Sequence, residues 1–211
     1  SFSNTTENPN TTQRVINVTV SDGAQTSNTA VARINVVAVN DTPTITAPAS
    51  YSGSEDTALT LNGLTMADVD AGGSSVQLTI SVPAGVGTLN FAATPFITVL
   101  NNGTGTVTLQ GQRAAIVNAV NSGALTLNPL ANYSGTSTVT FVFNDRGNTG
   151  IDPGLTANAT SEEATTTAIV NIATVNDAPF AVGSLPPQTN FDAASGISVA
   201  TAGGFGDIDG P

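Results

Sequence analysis

Apolar and polar residues alternate with period two along most of the chain. In RVINVTV, Ile16, Val18 and Val20 share one face, while Val15, Asn17 and Thr19 share the other. TAVARINVVAV sets Ala30, Ala32, Ile34, Val36 and Ala38 on one side, and VQLTISV does the same with Val76, Leu78, Ile80 and Val82. STVTFVF carries Val139, Phe141 and Phe143, and TAIVNI carries Ala168, Val170 and Ile172. Runs of this period, bounded by Gly, Asn and Pro, predict half-buried antiparallel strands and an all-β fold of one or more sandwiches. One stretch breaks the period. GQRAAIVNAVNSG gathers Ile116, Ala119 and Val120 at helical spacing and puts Gly123 where a C-terminal cap belongs. That spacing predicts a short helix over 112–121, closing one end of a sandwich.

The pattern also repeats. A strand, an SDG turn, a strand and VNDTP occupy residues 14–43; a strand, an NDRG turn, a strand and VNDAP occupy residues 137–179. From Asp41 to Asp56 is 15 residues, as is Asp177 to Asp192, and a D-x-D follows each: Asp68 and Asp70, then Asp207 and Asp209. Repetition at this scale predicts tandem units. Residues 41–176 are expected to form one complete sandwich. Residues 1–40 would be the last strands of a preceding unit, and 177–211 the opening of a following one.

Composition prunes the chemistry. The 211 residues contain no Cys, no His and no Trp. Lys is absent too, so Arg14, Arg33, Arg113 and Arg146 are the only cationic side chains. His-based triads, thiol nucleophiles, Schiff-base lysines and nitrogen or sulfur metal sites are excluded. What remains for a metal is oxygen, which suits hard cations, calcium first. A net charge of −11 argues against nucleic acid as a partner. No apolar run reaches transmembrane length, so no membrane insertion is expected in this segment.

These residues resemble the cadherin-like tandem repeats of giant bacterial surface proteins, including RTX-type adhesins. The resemblance rests on Val37-Ala38-Val39-Asn40-Asp41-Thr42-Pro43, on Glu55-Asp56-Thr57, on Asp68 and Asp70, on the helix over 112–121, and on Tyr133-Ser134-Gly135. The stretch from Leu185 to Gly210 is similar to the opening of a dystroglycan-type cadherin-like domain. The resemblance implies an extracellular, Ig-like sandwich with calcium at its ends and neighbouring repeats of the same chain as partners. Surface or matrix ligands would lie elsewhere in the full protein. Two departures are visible: the long loop from Asp145 to Thr165, and the lack of the acidic tripeptide that cadherins carry at the far end of the domain.

Strand bookkeeping assigns the acids to ends. Asp68 and Asp70 fall in one connection, and Asp145 and Asn148 in another that shares its end with the preceding linker. Asn40, Asp41, Asp68, Asp70 and Asp145 are therefore expected to meet, as calcium ligands or as solvated turn residues. Fifteen residues at about 3.3 Å each carry the chain about 50 Å from Asp41, roughly the length of a sandwich. Glu55 and Asp56 thus belong near the lower junction unless the chain turns at Pro48 or Gly53. There they would join Asn176, Asp177, Asp207 and Asp209 as ligands, or remain surface charges. Asp152, Glu162 and Glu163 read as a solvated acidic face of the long loop. The expected function is a calcium-rigidified spacer in a large adhesin, with no catalysis. The alternatives are a filament subunit that completes its partial domains from neighbours, or a protein- or glycan-binding module.

Overall fold

A computed structural model describes residues 5–148, 150–154 and 161–178, and the backbone pairing of two further short strands. The protein is an all-β sandwich with one short helix. The first two strands, β1 (Arg14–Val18) and β2 (Ala30–Ile34), form an antiparallel hairpin with Arg14 opposite Ile34. Its alternation does not bury a face: Val15, Ile16, Val18 and Val31 are all exposed. A two-stranded ribbon buries a face only when a second layer lies across it, and none does so among the described residues. The expectation of half-buried strands fails here for that reason.

The chain then enters the sandwich through β3 (Thr44–Thr46), crosses at Ala47–Ala49 and continues as β4 (Ser50–Ser54) in the opposite sheet. Next come β5 (Leu59–Thr60), β6 (Thr65–Ala67), β7 (Ser75–Ser81), β8 (Gly87–Phe91), β9 (Ile97–Leu100) and β10 (Thr106–Gln112). Helix α1 (Arg113–Ala119) and a wider turn lead to β11 (Leu125–Pro129), β12 (Gly135–Asn144) and β13 (Glu163–Ala173). A last hairpin pairs β14 (Phe180–Val182) with β15 (Gly204–Gly206).

One layer is a six-stranded sheet in the order β4-β13-β12-β7-β10-β9; facing it are the three-stranded sheet β5-β11-β8 and the pair β3-β6. The alternation read from the sequence is the inside of this sandwich. Val76, Leu78, Ile80, Val139, Phe141, Phe143 and Val170 are fully buried between the layers, each contributing roughly 1.5–3 kcal/mol of transfer free energy. Helix α1 buries Ile116 and Ala119 over one end, and Gly123, with φ +92°, turns the chain out of it as a C-terminal glycine should.

Registers fix which connections share an end. Strands β7 and β12 are antiparallel with Asn144 opposite Gln77, so the loop before β7 and the turn after β12 lie together. Strands β3 and β6 pair Thr44 with Ala67, which brings the linker before β3 to that same upper end. Strand β4 runs parallel to β13 with Ser54 opposite Ala173, so the chain leaves β4 at the lower end.

Candidate functional site

The upper end gathers buried polar groups around the linker. Asn40, Asp70 and Asp145 are 1 %, 2 % and 1 % exposed, and Glu162 is 0 % exposed. Asp41 and Asp68 are half-buried beside them. The linker is zipped to the long loop: Asn40 N–H donates to the Ile151 carbonyl at 3.0 Å, and Ile151 N–H to the Ala38 carbonyl at 2.9 Å. Gly150, with φ +98°, permits this approach, because a Cβ there would lie 2.6 Å from the Val39 carbonyl carbon.

Each acid is positioned by backbone amides. Asp68 Oδ1 accepts the N–H groups of Asp70 (2.8 Å) and Ala71 (3.0 Å), which folds the Asp68-Val69-Asp70 loop over its own side chain. Asp70 Oδ2 accepts the Asp41 N–H at 2.6 Å. Asp145 Oδ1 accepts from Gly147 (2.7 Å) and Glu162 (2.9 Å), while its Oδ2 accepts from Asn40 Nδ2 at 2.6 Å. Thr42 Oγ1 donates to Glu162 Oε2 at 3.4 Å. One linker thus touches three acids, Asp70 from the connection before β7 and Asp145 and Glu162 from the two ends of the long loop after β12.

The electrostatics are unfavourable for the charged forms. Burial pushes the Asp68 carboxyl above the usual carboxylate range, and the charge of Asp145 adds to the rise against an opposing Arg113. Asp70 is raised as well, by burial first and then by the charges of Asp41 and Asp68. Three buried oxygens, Asn40 Oδ1, Asp68 Oδ2 and Asp152 Oδ2, have no hydrogen-bond partner. Buried polar atoms are normally satisfied, so orphans concentrated on one linker and its adjoining loops point to a missing donor or cation. As they stand, no three acidic side chains among the described residues converge closely enough to hold an ion. The donor chemistry, all oxygen and mostly anionic, nevertheless fits a hard cation and no softer one.

Other residues fall differently. Asn148 turns away from the linker; its Nδ2 donates to the Ser75 carbonyl at 3.0 Å and to the Asp145 carbonyl, tying the turn after β12 to β7. At the lower end, Glu55 is 1 % exposed, which rules out its reading as a surface charge. Its N–H donates to the Ala173 carbonyl at 3.0 Å, and its Oε1 accepts the Val175 N–H at 2.8 Å. Asp56 is exposed, with φ +59°. Asn176 is exposed and reaches only the Asp177 carbonyl, at 3.3 Å, while Asp177 is half-buried. Asp207 and Asp209 lie outside the described residues.

The solvated acidic face expected for the long loop is corrected. Glu162 is fully buried and Asp152 presents a buried oxygen. A run of acids beside a loop looks solvated in sequence. Here Asp145 N–H bonds the Glu162 carbonyl at 3.1 Å, continuing the β12–β13 ladder and carrying Glu162 inward. The available signal was position: Glu162 directly precedes the strand that pairs with the one ending at Asn144.

No family model and no curated protein matches the chain. Among solved structures it is similar to human mucin-like protocadherin EC1-2, at 16 % identity and a TM-score of 0.36, over 77 % of this chain and 69 % of that one. No helix among the described residues is long and apolar enough to cross a membrane.

Proposed function

We propose that the chain is a length of extracellular stalk in a large adhesin of the cadherin-like repeat type, whose joints are stiffened by calcium. The observation that carries this reading is the linker Asn40–Thr42, held among Asp68, Asp70, Asp145 and Glu162 with three buried oxygens unsatisfied nearby. Asp68, Asp70 and Asp145 would hold the ion, with the Asn40 amide oxygen as a neutral ligand. Calcium would supply the positive charge that this group of acids lacks. Binding would draw together side chains that hydrogen bonds now keep apart, and that ordering is what would stiffen the joint. A rigid spacer reaches farther than a flexible one of equal length. In this reading residues 1–40, 41–176 and 177–211 belong to three successive units.

Small-angle scattering on the chain, with calcium and with excess chelator, tests the proposal. The maximum dimension should increase and its distribution narrow in calcium. An identical profile in both conditions would rule out stiffening.

A further inference from the structure

A cleft lies on the outer face of the six-stranded sheet, beside the turn that follows β12. We infer that the cleft between the Phe96 turn and Arg146 binds an acidic sugar: a pyranose ring bearing a carboxylate, within a uronate-containing glycan. The cleft is open to solvent, has a volume of about 770 Å³ and is lined by Ser75, Phe96, Thr98, Gln110, Gln112 and Arg146, among others. This volume is typical of small-molecule sites.

Phe96 is the anomaly that marks it. The side chain is 89 % exposed on a backbone with φ +70°. A bulky residue at positive φ is an outlier, and exposing an aromatic ring adds a second cost. In Thr94-Pro95-Phe96-Ile97, the Pro-Phe pair occupies positions where a type II turn would take Gly or Asn second. The neighbouring strand is adapted to this turn. A Cβ on Gly111 would lie 2.6 Å from the Phe96 carbonyl oxygen, so β10 carries glycine where the turn rests on it. Folding gains nothing from this ring, but a ligand would gain a flat apolar platform for the C–H face of a sugar.

The rest of the cleft is polar in a way that suits hydroxyl groups. The register aligns Thr98, Gln110 and Gln77 across three adjacent strands, with Ser75 opposite Gln112 in the next outward row. Gln110 Nε2 donates to Gln77 Oε1 at 2.9 Å, which ties the two amides together across adjacent strands, and Gln110 lines the cleft. Amides and hydroxyls in rows provide both donors and acceptors, as a polyol requires. Arg146 supplies charge. Among the described residues its guanidinium makes one long bond, to Ser75 Oγ at 3.5 Å, whereas Arg113 is engaged at 2.8 Å with the Met66 carbonyl. An arginine at the mouth of a polar cleft selects a carboxylate with paired N–H groups.

The test is an NMR and calorimetric titration of the full chain with a hyaluronan tetrasaccharide in saturating calcium. Its carboxyl-reduced form, acetate and a short peptide with a free C-terminus serve as parallel arms. Saturable shifts at the Gln110 and Gln112 side-chain amides are expected with the tetrasaccharide alone. Arg146→Met and Phe96→Asn should each weaken binding about tenfold, the scale of one charge-assisted pair or one stacking contact. Phe96→Asn should leave the melting temperature unchanged or higher, because Asn tolerates positive φ. Absence of saturable shifts with the tetrasaccharide would overturn the site. Equal binding of the carboxyl-reduced form would overturn the role of Arg146, and equal or tighter binding of the peptide would overturn the sugar assignment.

Discussion

Asn40 and Asp145, separated by 105 positions in the chain, meet in a buried hydrogen bond of 2.6 Å between the amide Nδ2 and the carboxylate Oδ2. The bond locks the linker before the sandwich to the turn that follows β12. It also sets the orientation of the Asn40 amide: the nitrogen is committed to Asp145, and Oδ1 is left buried without a donor. The same side chain thus braces the linker and carries a buried oxygen that no donor satisfies.

Removing the brace from its two sides should cost different amounts. Asp145→Ala strands three donors: Asn40 Nδ2, Gly147 N–H and Glu162 N–H. At about 1–3 kcal/mol per unsatisfied buried group, a loss of about 3 kcal/mol or more is expected, partly offset where water reaches Gly147. Asn40→Ala leaves Asp145 its two backbone donors and should cost about half as much. The double variant should cost less than the sum, since both substitutions delete one shared bond. Chemical denaturation of the four proteins in chelator measures all three quantities.

Asp68 should reverse its sign between metal-free and calcium-loaded protein. Its carboxyl is raised by burial and by Asp145, so the folded state holds the proton more tightly than the unfolded chain does. Over that window the folded protein binds more protons, and stability in chelator should fall as pH rises from the ordinary carboxylate range through the raised value. Calcium, which takes the ionised form, should flatten or invert that slope. Asp68→Asn keeps the acceptor for the Asp70 and Ala71 N–H groups while removing the charge. It should therefore match or exceed the parent's melting temperature in chelator. It should also lose most of the gain that calcium gives the parent, about 2.7 kcal/mol at a hundredfold excess over Kd, or roughly 5–10 °C. Thermal melts of both proteins across pH, with and without calcium, separate these effects; a parent protein indifferent to calcium would remove the metal from the joint.

How much of this was legible in the sequence depended on whether a feature is local. The alternation around Leu78, Phe141 and Val170 is a strand property, and all three are buried between the sheets. Ile116 and Gly123 announced a helix and its end, because helical spacing and a positive-φ glycine are both local devices. Val15, Ile16 and Val18 alternate equally well, yet period two says only that two faces differ, not that anything covers them. Glu162 and Asp152 read as solvated in the sequence for the opposite reason. Their burial comes from Thr42 and from the pairing of residue 151 with the linker, over a hundred positions away. Glu55 was reachable by counting strand rise, and only its burial needed the fold.

The two ends of the sandwich should behave as separate joints. Strand β13 runs from Glu163 beside Asp145 to Ala173 beside Glu55. Ten rises of about 3.3 Å place roughly 33 Å between them. At that distance neither hydrogen bonds nor packing is shared, and solvent ions screen the charges within about 8–10 Å. Glu55→Ala deprives the Val175 N–H of its acceptor and should cost about 1–2 kcal/mol, less than Asp145→Ala because Val175 is itself partly exposed. Combined with Asp145→Ala, the losses should add to within about 0.5 kcal/mol. Glu55→Ala should also leave intact the calcium gain assigned to Asp68, because that gain belongs to the other end. Denaturant melts of both single variants and the double variant, repeated with calcium, decide the matter. Strong non-additivity, or a calcium response abolished by Glu55→Ala, would mean that the ends are coupled and that the joints do not stiffen independently.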